Sequence, residues 1–258
     1  MNSDAFFALR TGPAVQPDGA PAALTVHDLG VLRVPSGRLG VTDPFVFLDD
    51  ALIVPIPAGD YPVFLTVADV SAEQDGSHPR EAYLSLVLSD APTASVAAAA
   101  VEPDPEESPE EHAEEGGFYA VPVDAGTIGF VDASAVAGAM PADPNAWYDS
   151  VFNPEDGGGW IATLTSDTPH PEGTANIVMP LAAAGENVIL SAAGWGDGAY
   201  PVLESRDADG ALTGIHVDLL VVGTLFAGEA AGRIDAEHGA DLIDPEPAGP
   251  DSANSDER

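Results

Sequence analysis

Residues 187–222 have the sequence NVILSAAGWGDGAYPVLESRDADGALTGIHVDLLVV, and this stretch decides the fold class. An apolar run at 188–190 enters GWGDG at 194–198, where three glycines in five residues indicate a tight turn. YPV at 200–202 begins a new strand, since proline suits the start or the edge of a strand. DG at 209–210 marks a hairpin turn before an alternating apolar strand. The stretch therefore predicts a strand, a glycine-rich turn and a β-hairpin.

Earlier motifs repeat this pattern in the same order. The shared motifs are GxxGxxD at 37–43 and 126–132, GxYPV at 59–63 and 198–202, and DG at 75–76 and 209–210. Three matches in one order predict a duplicated antiparallel β unit, packed as a mainly β sandwich or barrel-like core. We expect Tyr61 to superimpose on Tyr200, and Leu84 on Val217.

The motifs also set the expected domain boundaries. These are a flexible arm at 1–20, a first β unit at 21–90, an acidic disordered linker at 91–115, a second β unit at 116–238 with an insertion at 133–186, and an acidic disordered tail at 239–258. Ala23 to Val34 predicts a short hairpin. The insertion contains the one predicted helix, Ala133 to Met140, with Asp132 or Ser134 as N-cap and Pro141 as terminator.

At 37–45, 59–63, 123–133 and 194–202 the chain resembles the bacterial domain-of-unknown-function family 4241. The resemblance covers roughly residues 37–222, and its ordered motifs are more specific than a single glycine motif. It supports the boundaries of the β units. Because the family implies no established activity, the resemblance lends no catalytic residue.

The charge of the chain is extreme. Its 258 residues carry 43 acidic side chains against seven arginines and no lysine, which gives a formal net charge of −36. Eight acidic residues lie in 91–115 and eight in 235–258, so the remaining residues still have a charge near −21. Such a body repels itself in dilute buffer, whereas molar salt screens it within roughly 3 Å. The composition predicts a cytoplasmic protein of an extreme halophile.

Composition also argues against several classes of protein. The absence of cysteine excludes disulfides and thiolate metal sites, and fits a cytosolic origin. No window approaches 18 apolar residues and no signal peptide is indicated, so we expect no membrane partner. The scattered arginines argue against nucleic acid. Nucleophile-elbow, P-loop and dinucleotide-binding motifs are missing.

Several residues are candidates for a functional site. Asp43, Asp132 and Asp197 could supply oxygen ligands to a divalent cation, although Asp132 also suits a helix cap and Asp43 a turn. His216 and Asp218 share a strand face and could form a proton-transfer pair or a buried polar couple. The tryptophans at 147, 160 and 195 are predicted to be core, or alternatively to line a groove between the copies.

Two hypotheses of function remain, and no cofactor is expected under the first. The first is a non-enzymatic module that binds an unknown protein or small ligand through Trp195, Asp197, Tyr200, His216 and Asp218. The second is a metal-assisted hydrolase that uses Asp43, Asp132, Asp197 and Asp218. A convergent group of buried carboxylates around one pocket would favour the enzyme, and an apolar patch near Trp195 would favour the module.

Overall fold

The computed structural model describes residues 5–103, 119–166 and 170–223, all within the compact unit Met1–Leu225. The described strands are β1 (Gly12–Val15), β2 (Pro21–Val34), β3 (Arg38–Thr42), β4 (Leu52–Pro55), β5 (Gly59–Asp69), β6 (Pro79–Val87), β7 (Ser95–Ala98), β8 (Ala120–Val123), β9 (Thr127–Asp132), β10 (Thr174–Val178), β11 (Asn187–Ala192), β12 (Gly198–Arg206) and β13 (Leu212–Asp218). The described α-helices are α1 (Ala133–Ala139) and α2 (Trp160–Leu164), with a 3-10 turn at Pro144–Ala146 and a π-helical turn at Tyr148–Phe152. The protein is mainly β, as predicted. None of these helices is long and apolar enough to cross a membrane.

The strands form two antiparallel sheets. Sheet A has the order β1-β2-β5-β6-β13-β12-β7, with β8 paired to the first part of β12. Sheet B has the order β10-β11-β9-β3-β4. Sheet A curls into a half-barrel, and sheet B packs against it. The prediction of a β sandwich or barrel-like core is therefore confirmed.

Each predicted β unit contributes strands to both sheets. In sheet B the two GxxGxxD strands, β3 and β9, are direct neighbours, with Gly40 opposite Val131. In sheet A the hairpins β5–β6 and β12–β13 meet along β6 and β13, where Leu84 lies opposite Val217. Corresponding strands of the two units thus lie side by side at the centre of each sheet.

The insertion covers one face of sheet B with an aromatic core. Trp147, Phe152 and Trp160 are buried there, and they pack with apolar residues of α1, β9 and β11. The Asp132 side chain accepts a hydrogen bond from Ser134 N, which confirms the predicted N-cap of α1. The helix ends one residue before the predicted Met140, whose own N–H bonds to Val136 O. α2 is an additional short helix that the sequence does not predict.

Three segments differ from their predicted structure. The segment predicted as a flexible arm contains β1, which pairs with β2, and a buried Phe6, so residues 5–20 are held to the body. Residues 23–34, predicted as a hairpin, belong to the single strand β2. The strand continues without a turn because its register with β5 shifts between Asp28 and Gly30. In the predicted linker, 95–98 pair with β12 as β7, while 104–115 lie outside the described residues, as does the predicted tail.

Candidate functional site

A polar cluster lies on one face of sheet A, where β6 and β13 run side by side. Their register places Tyr83 opposite Asp218 and Ser85 opposite His216, so these four side chains share one face. All four are almost completely buried. The polar cluster consists of Tyr83, Ser85, Ser205, Thr213, His216 and Asp218. The residues that alternate with these four at the centre of β6 and β13, namely Leu84, Leu86, Ile215 and Val217, point to the opposite face and are apolar and buried.

His216 is the centre of a chain of hydrogen bonds. Its Nδ1 lies 2.9 Å from Ser85 Oγ, and its Nε2 lies 2.9 Å from Ser205 Oγ. Ser205 Oγ in turn lies 2.8 Å from Thr213 Oγ1. Burial lowers the pKa of His216 to about 3, so the imidazole is neutral at neutral pH. A neutral imidazole has one donor and one acceptor nitrogen, and each therefore has a hydroxyl partner.

The contact between Ser205 and His216 has the geometry of a nucleophile and its base. A general base works best when its pKa lies near the operating pH, because proton transfer then has a useful driving force. Burial without a carboxylate partner keeps the pKa of His216 several units below that range. The pair is therefore better suited to hydrogen bonding than to activating a nucleophile.

Asp218 and Tyr83 form the second half of the polar cluster. Tyr83 donates its hydroxyl to Asp218 Oδ2 at 3.2 Å, and Leu220 N donates to Asp218 Oδ1 at 2.9 Å. Burial raises the pKa of Asp218 to about 7. Burial and the neighbouring Asp218 together raise the pKa of Tyr83 well above its usual value. The structure places the predicted pair His216 and Asp218 on one face, but each side chain has its own partners.

An N-terminal strap, residues 5–11, covers the polar cluster. The Phe6 ring meets the Tyr83 ring edge to face at 5.7 Å between centroids, and the His216 ring at 5.0 Å. Leu9 N donates to Thr66 Oγ1 at 3.0 Å, which fixes the strap to β5. The strap explains why a polar face of sheet A is buried rather than exposed to solvent.

A cleft of about 360 Å³ opens beside the strap, on the same side as Ser205. Its lining residues are Leu9, Val26, Phe64, Val87, Ser89, Asp90, Ala91, Thr93, Ser205 and Thr213. Ser205 and Thr213 are buried and form the floor, whereas Ser89, Asp90 and Thr93 are exposed and form the rim. The volume falls within the range of small-molecule sites, which are clefts with a few converging polar groups.

The sequence did not single out Ser85, Ser205 or Thr213 for this site. Ser85 alone carried a clear signal, because it is a small hydroxyl residue between Leu84 and Leu86, whereas Ser205 lies between two charged residues, Glu204 and Arg206. A buried hydroxyl needs a hydrogen-bond partner, so such positions indicate a polar network within a core. The covering role of Phe6 has a weaker signal, namely the short apolar run AFFAL at 5–9.

The glycine-rich turn lies away from this cleft. Tyr200 is buried, and its hydroxyl lies 3.0 Å from Ala193 O and 2.8 Å from Gly196 O, so it braces the turn. Burial and the charge of Asp197 raise the pKa of Tyr200 to about 12. Tyr61 makes the corresponding contact in the first unit, because its hydroxyl donates to Pro57 O at 2.6 Å, also four residues upstream.

Trp195 is not a core residue, in contrast to Trp147 and Trp160. Its side chain is 54% exposed at the tip of the glycine-rich turn, and the Arg80 guanidinium lies over its ring at 5.3 Å. Asp197, two residues on, is also exposed. The prediction that Trp195 belongs to the core is wrong, since the turn carries it outward. None of the residues of this turn lines the cleft.

Asp43 and Asp132 play matching structural roles. Asp43 Oδ2 accepts from Ala125 N at 2.6 Å, and Asp132 Oδ2 accepts from Ser36 N at 2.9 Å. Ala125 and Ser36 each stand just before the first glycine of a GxxGxxD motif. The last residue of each motif thus caps the beginning of the other motif. Those first glycines have φ values of 65° and 74°, a conformation that favours glycine.

The four aspartates of the hydrolase hypothesis do not share one pocket. In the ladder of β3 and β9, Asp132 lies opposite Leu39, four residues from Asp43, so about 13 Å of strand separates the two. Asp218 lies on sheet A beneath the strap, and Asp197 is on the exposed turn. Within the described part of the chain, no group of three or more His, Asp or Glu side chains is placed to hold a metal ion.

Comparison with models of known protein families identifies a family of unknown function. The sequence model of a family described as "protein of unknown function (DUF4241)" matches residues 32–217, which include both GxxGxxD strands and both GxYPV hairpins. No curated protein and no solved structure matches the chain. The matched range holds most of sheets A and B, including Asp43, Asp132 and His216. The chain therefore belongs to the DUF4241 family.

Proposed function

We propose that this chain is a non-enzymatic binding module that holds a small ligand in the cleft of sheet A. The observation that carries the proposal is the division of the cleft into an apolar wall and a hydroxyl-bearing floor. The floor is pre-organised, because Ser205 and Thr213 are already fixed by the hydrogen bonds that lead to His216. Preformed sites of this kind bind ligands without a large ordering cost.

The alternative, a metal-assisted hydrolase, has less support. Its carboxylates lie apart, and Asp43 and Asp132 are already saturated by donors of the protein. A hydrolase that used Ser205 and His216 would need a stronger base than a buried, unpaired imidazole provides.

The binding proposal can be tested with a variant in which a large side chain fills the cleft. Ala91→Trp places an indole where the 88–94 loop lines the cleft, whereas Ala94→Trp changes an exposed residue of the same loop that does not line it. We expect fragments of about 12 non-hydrogen atoms to raise the melting temperature of wild type and Ala94→Trp, but not of Ala91→Trp. Differential scanning fluorimetry in about 3 M KCl measures this. A fragment set that stabilises none of the three proteins, or all three equally, contradicts the proposal.

We also propose that the protein works in the cytoplasm of an extreme halophile. The proposal rests on its charge of −36 and on the small number of cations available to offset it. The described ion pairs, such as Arg38 with Glu102 at 2.8 Å, engage only a few of the 43 acidic residues. Screening by salt must then relieve most of the repulsion between the others.

Stability should accordingly depend on salt. We expect the melting temperature to fall as KCl is lowered from about 3 M to about 0.1 M, by roughly 2–4 °C for each kcal/mol of repulsion restored. Far-UV circular dichroism at each KCl concentration measures the transition. An uncharged osmolyte at matched osmolality is the control, because it does not screen charge. An unchanged melting temperature across this range would refute adaptation to high salt.

We further infer that the two β units arose by duplication. The support is the reciprocal capping by Asp43 and Asp132, together with the upstream carbonyl contacts of Tyr61 and Tyr200. These matched contacts are specific enough that independent origin is the less economical explanation.

A further inference from the structure

The floor of the cleft ends in a hydroxyl group whose hydrogen-bonding direction can reverse. Thr213 Oγ1, Ser205 Oγ, His216 Nε2, His216 Nδ1 and Ser85 Oγ form one continuous chain. If Nε2 carries the imidazole proton, Ser205 accepts from it and donates to Thr213. If Nδ1 carries the proton, Ser205 donates to Nε2 and accepts from Thr213. Thr213 can therefore offer a ligand either a proton or a lone pair.

A ligand hydroxyl matches this floor because it also donates and accepts. A ligand carboxylate can only accept hydrogen bonds, so it would hold the chain of hydrogen bonds in one direction. It would also be taken out of water without a cation to pair with. Among the described residues, no Arg, Lys or His side chain lines the cleft, and Asp90 at the rim adds a like charge. The chemistry of the lining thus disfavours an anionic head group.

The size and the wall define the rest of the ligand. Leu9, Val26, Phe64 and Val87 supply an apolar wall opposite the hydroxyl floor. A volume of about 360 Å³ equals the space of about 12 water molecules at roughly 30 Å³ each, which suits a ligand with a similar number of non-hydrogen atoms. A medium-length aliphatic chain or a single ring with one polar end fills such a space.

We propose that the cleft selects an uncharged amphiphile with a hydroxyl head group, of the size of a medium-chain alcohol, whose head group bonds to Thr213 and Ser205. This inference rests on the proposed binding function and adds the chemical class of the ligand. The selectivity comes from the reversible chain of hydrogen bonds and from the lack of a cationic side chain among the described residues that line the cleft.

Three probes of equal length separate the head groups: 1-octanol, octanoate and octylamine. Isothermal titration calorimetry with the full chain in about 3 M KCl measures each affinity. We expect 1-octanol to bind at least about tenfold more tightly than octanoate, because the carboxylate loses hydration without gaining a cation. Octylamine should also bind more weakly than 1-octanol, since its charge must either reach Asp90 at the exposed rim or lie on an uncharged floor.

Two variants locate the head group. Thr213→Val keeps the shape of the side chain and removes the hydroxyl of the floor. It should lower the affinity for 1-octanol about 5–10-fold. Thr93→Val makes the same change at the rim and should leave the affinity nearly unchanged. A loss confined to Thr93→Val would overturn the assignment to the floor. If Thr213→Val does not fold, the comparison of the three probes on wild type still decides the head group.

The outcomes also separate this inference from the proposed function. Equal affinities for the three probes, or tightest binding of octylamine, would overturn the head-group inference while ligand binding in the cleft stood. Stabilising fragments without binding of any octyl probe would do the same. If no fragment stabilised the protein and no octyl probe bound, both the head-group inference and the proposed binding function would be overturned.

Discussion

Replacing Asp43 with alanine is expected to lower the free energy of unfolding by about 3–5 kcal/mol. The carboxylate is completely buried and accepts four hydrogen bonds. Its donors are Asp124 N at 3.0 Å, Ala125 N at 2.6 Å, Thr127 Oγ1 at 2.7 Å and Phe45 N at 3.2 Å. Alanine would leave several of these donors buried without a partner, and each such group costs about 1–3 kcal/mol.

Denaturant unfolding in about 3 M KCl measures this loss, and neighbouring residues provide the controls. Asp49→Ala removes an exposed carboxylate six residues away and should change stability by less than about 0.5 kcal/mol. Asp132→Ala should also destabilise, because it removes the helix cap of α1 and the acceptor for Ser36. If Asp43→Ala were no more destabilising than Asp49→Ala, the carboxylate would not be the structural acceptor that its geometry indicates.

The same contacts explain which parts of the structure the sequence could predict. Helix α1 was placed within one residue, because the cap at Asp132 and the break at Pro141 are local signals. The strands of sheets A and B follow from alternating apolar residues and glycine turns. The sequence could not choose between a metal-binding and a structural role for Asp43, because its donors at 124–127 are more than eighty residues away.

Register is a second property that the sequence could not supply. The motif alignment matches Tyr61 with Tyr200, which also matches Val63 with Val202. In the hairpins, however, Val63 lies opposite Leu86, whereas Val202 lies opposite Val217. By this pairing Leu86 corresponds to Val217, two residues from the expected Leu84. Even offsets keep every side chain on its face, so the hydrophobic pattern does not reveal the shift.

The strap and the cleft were missed for a different reason. Residues 5–11 form no strand and have no periodic pattern, so their burial depends on tertiary contacts of Phe6 with Tyr83 and His216. The cleft likewise combines the strap with five strands and the 88–94 loop. Its residues come together only once sheet A has curled.

Asp218 and His216 should make the stability of the fold depend on pH in opposite directions. The pKa of Asp218 is raised from 3.8 to about 7, so the native state holds this proton more strongly than the unfolded state. Its contribution is fully present below about pH 4 and is lost as pH rises through 7. The shift of about three units corresponds to about 4 kcal/mol.

His216 acts with the opposite sign. Its pKa is lowered from 6.5 to about 3, so the unfolded state binds the proton more strongly. Its contribution is fully present above about pH 6.5 and is lost as pH falls towards 3, with a total of about 5 kcal/mol. Between about pH 4 and 6.5 the two slopes largely cancel. Wild type therefore conceals both effects in that range.

Single substitutions should expose the two slopes. Relative to wild type, Asp218→Asn should become more stable by about 4 kcal/mol on going from pH 4 to pH 8, because the amide keeps the acceptor for Leu220 N and has no charge to bury. His216→Gln should remove the loss of stability between pH 6.5 and 3.

Denaturant unfolding in about 3 M KCl at several pH values measures both effects, with the exposed Asp90→Asn as control. The differences between variant and wild type carry the test, because the other acidic residues titrate alike in each protein. Parallel stability curves for wild type and Asp218→Asn from pH 4 to 8 would mean that burial does not hold the proton on Asp218.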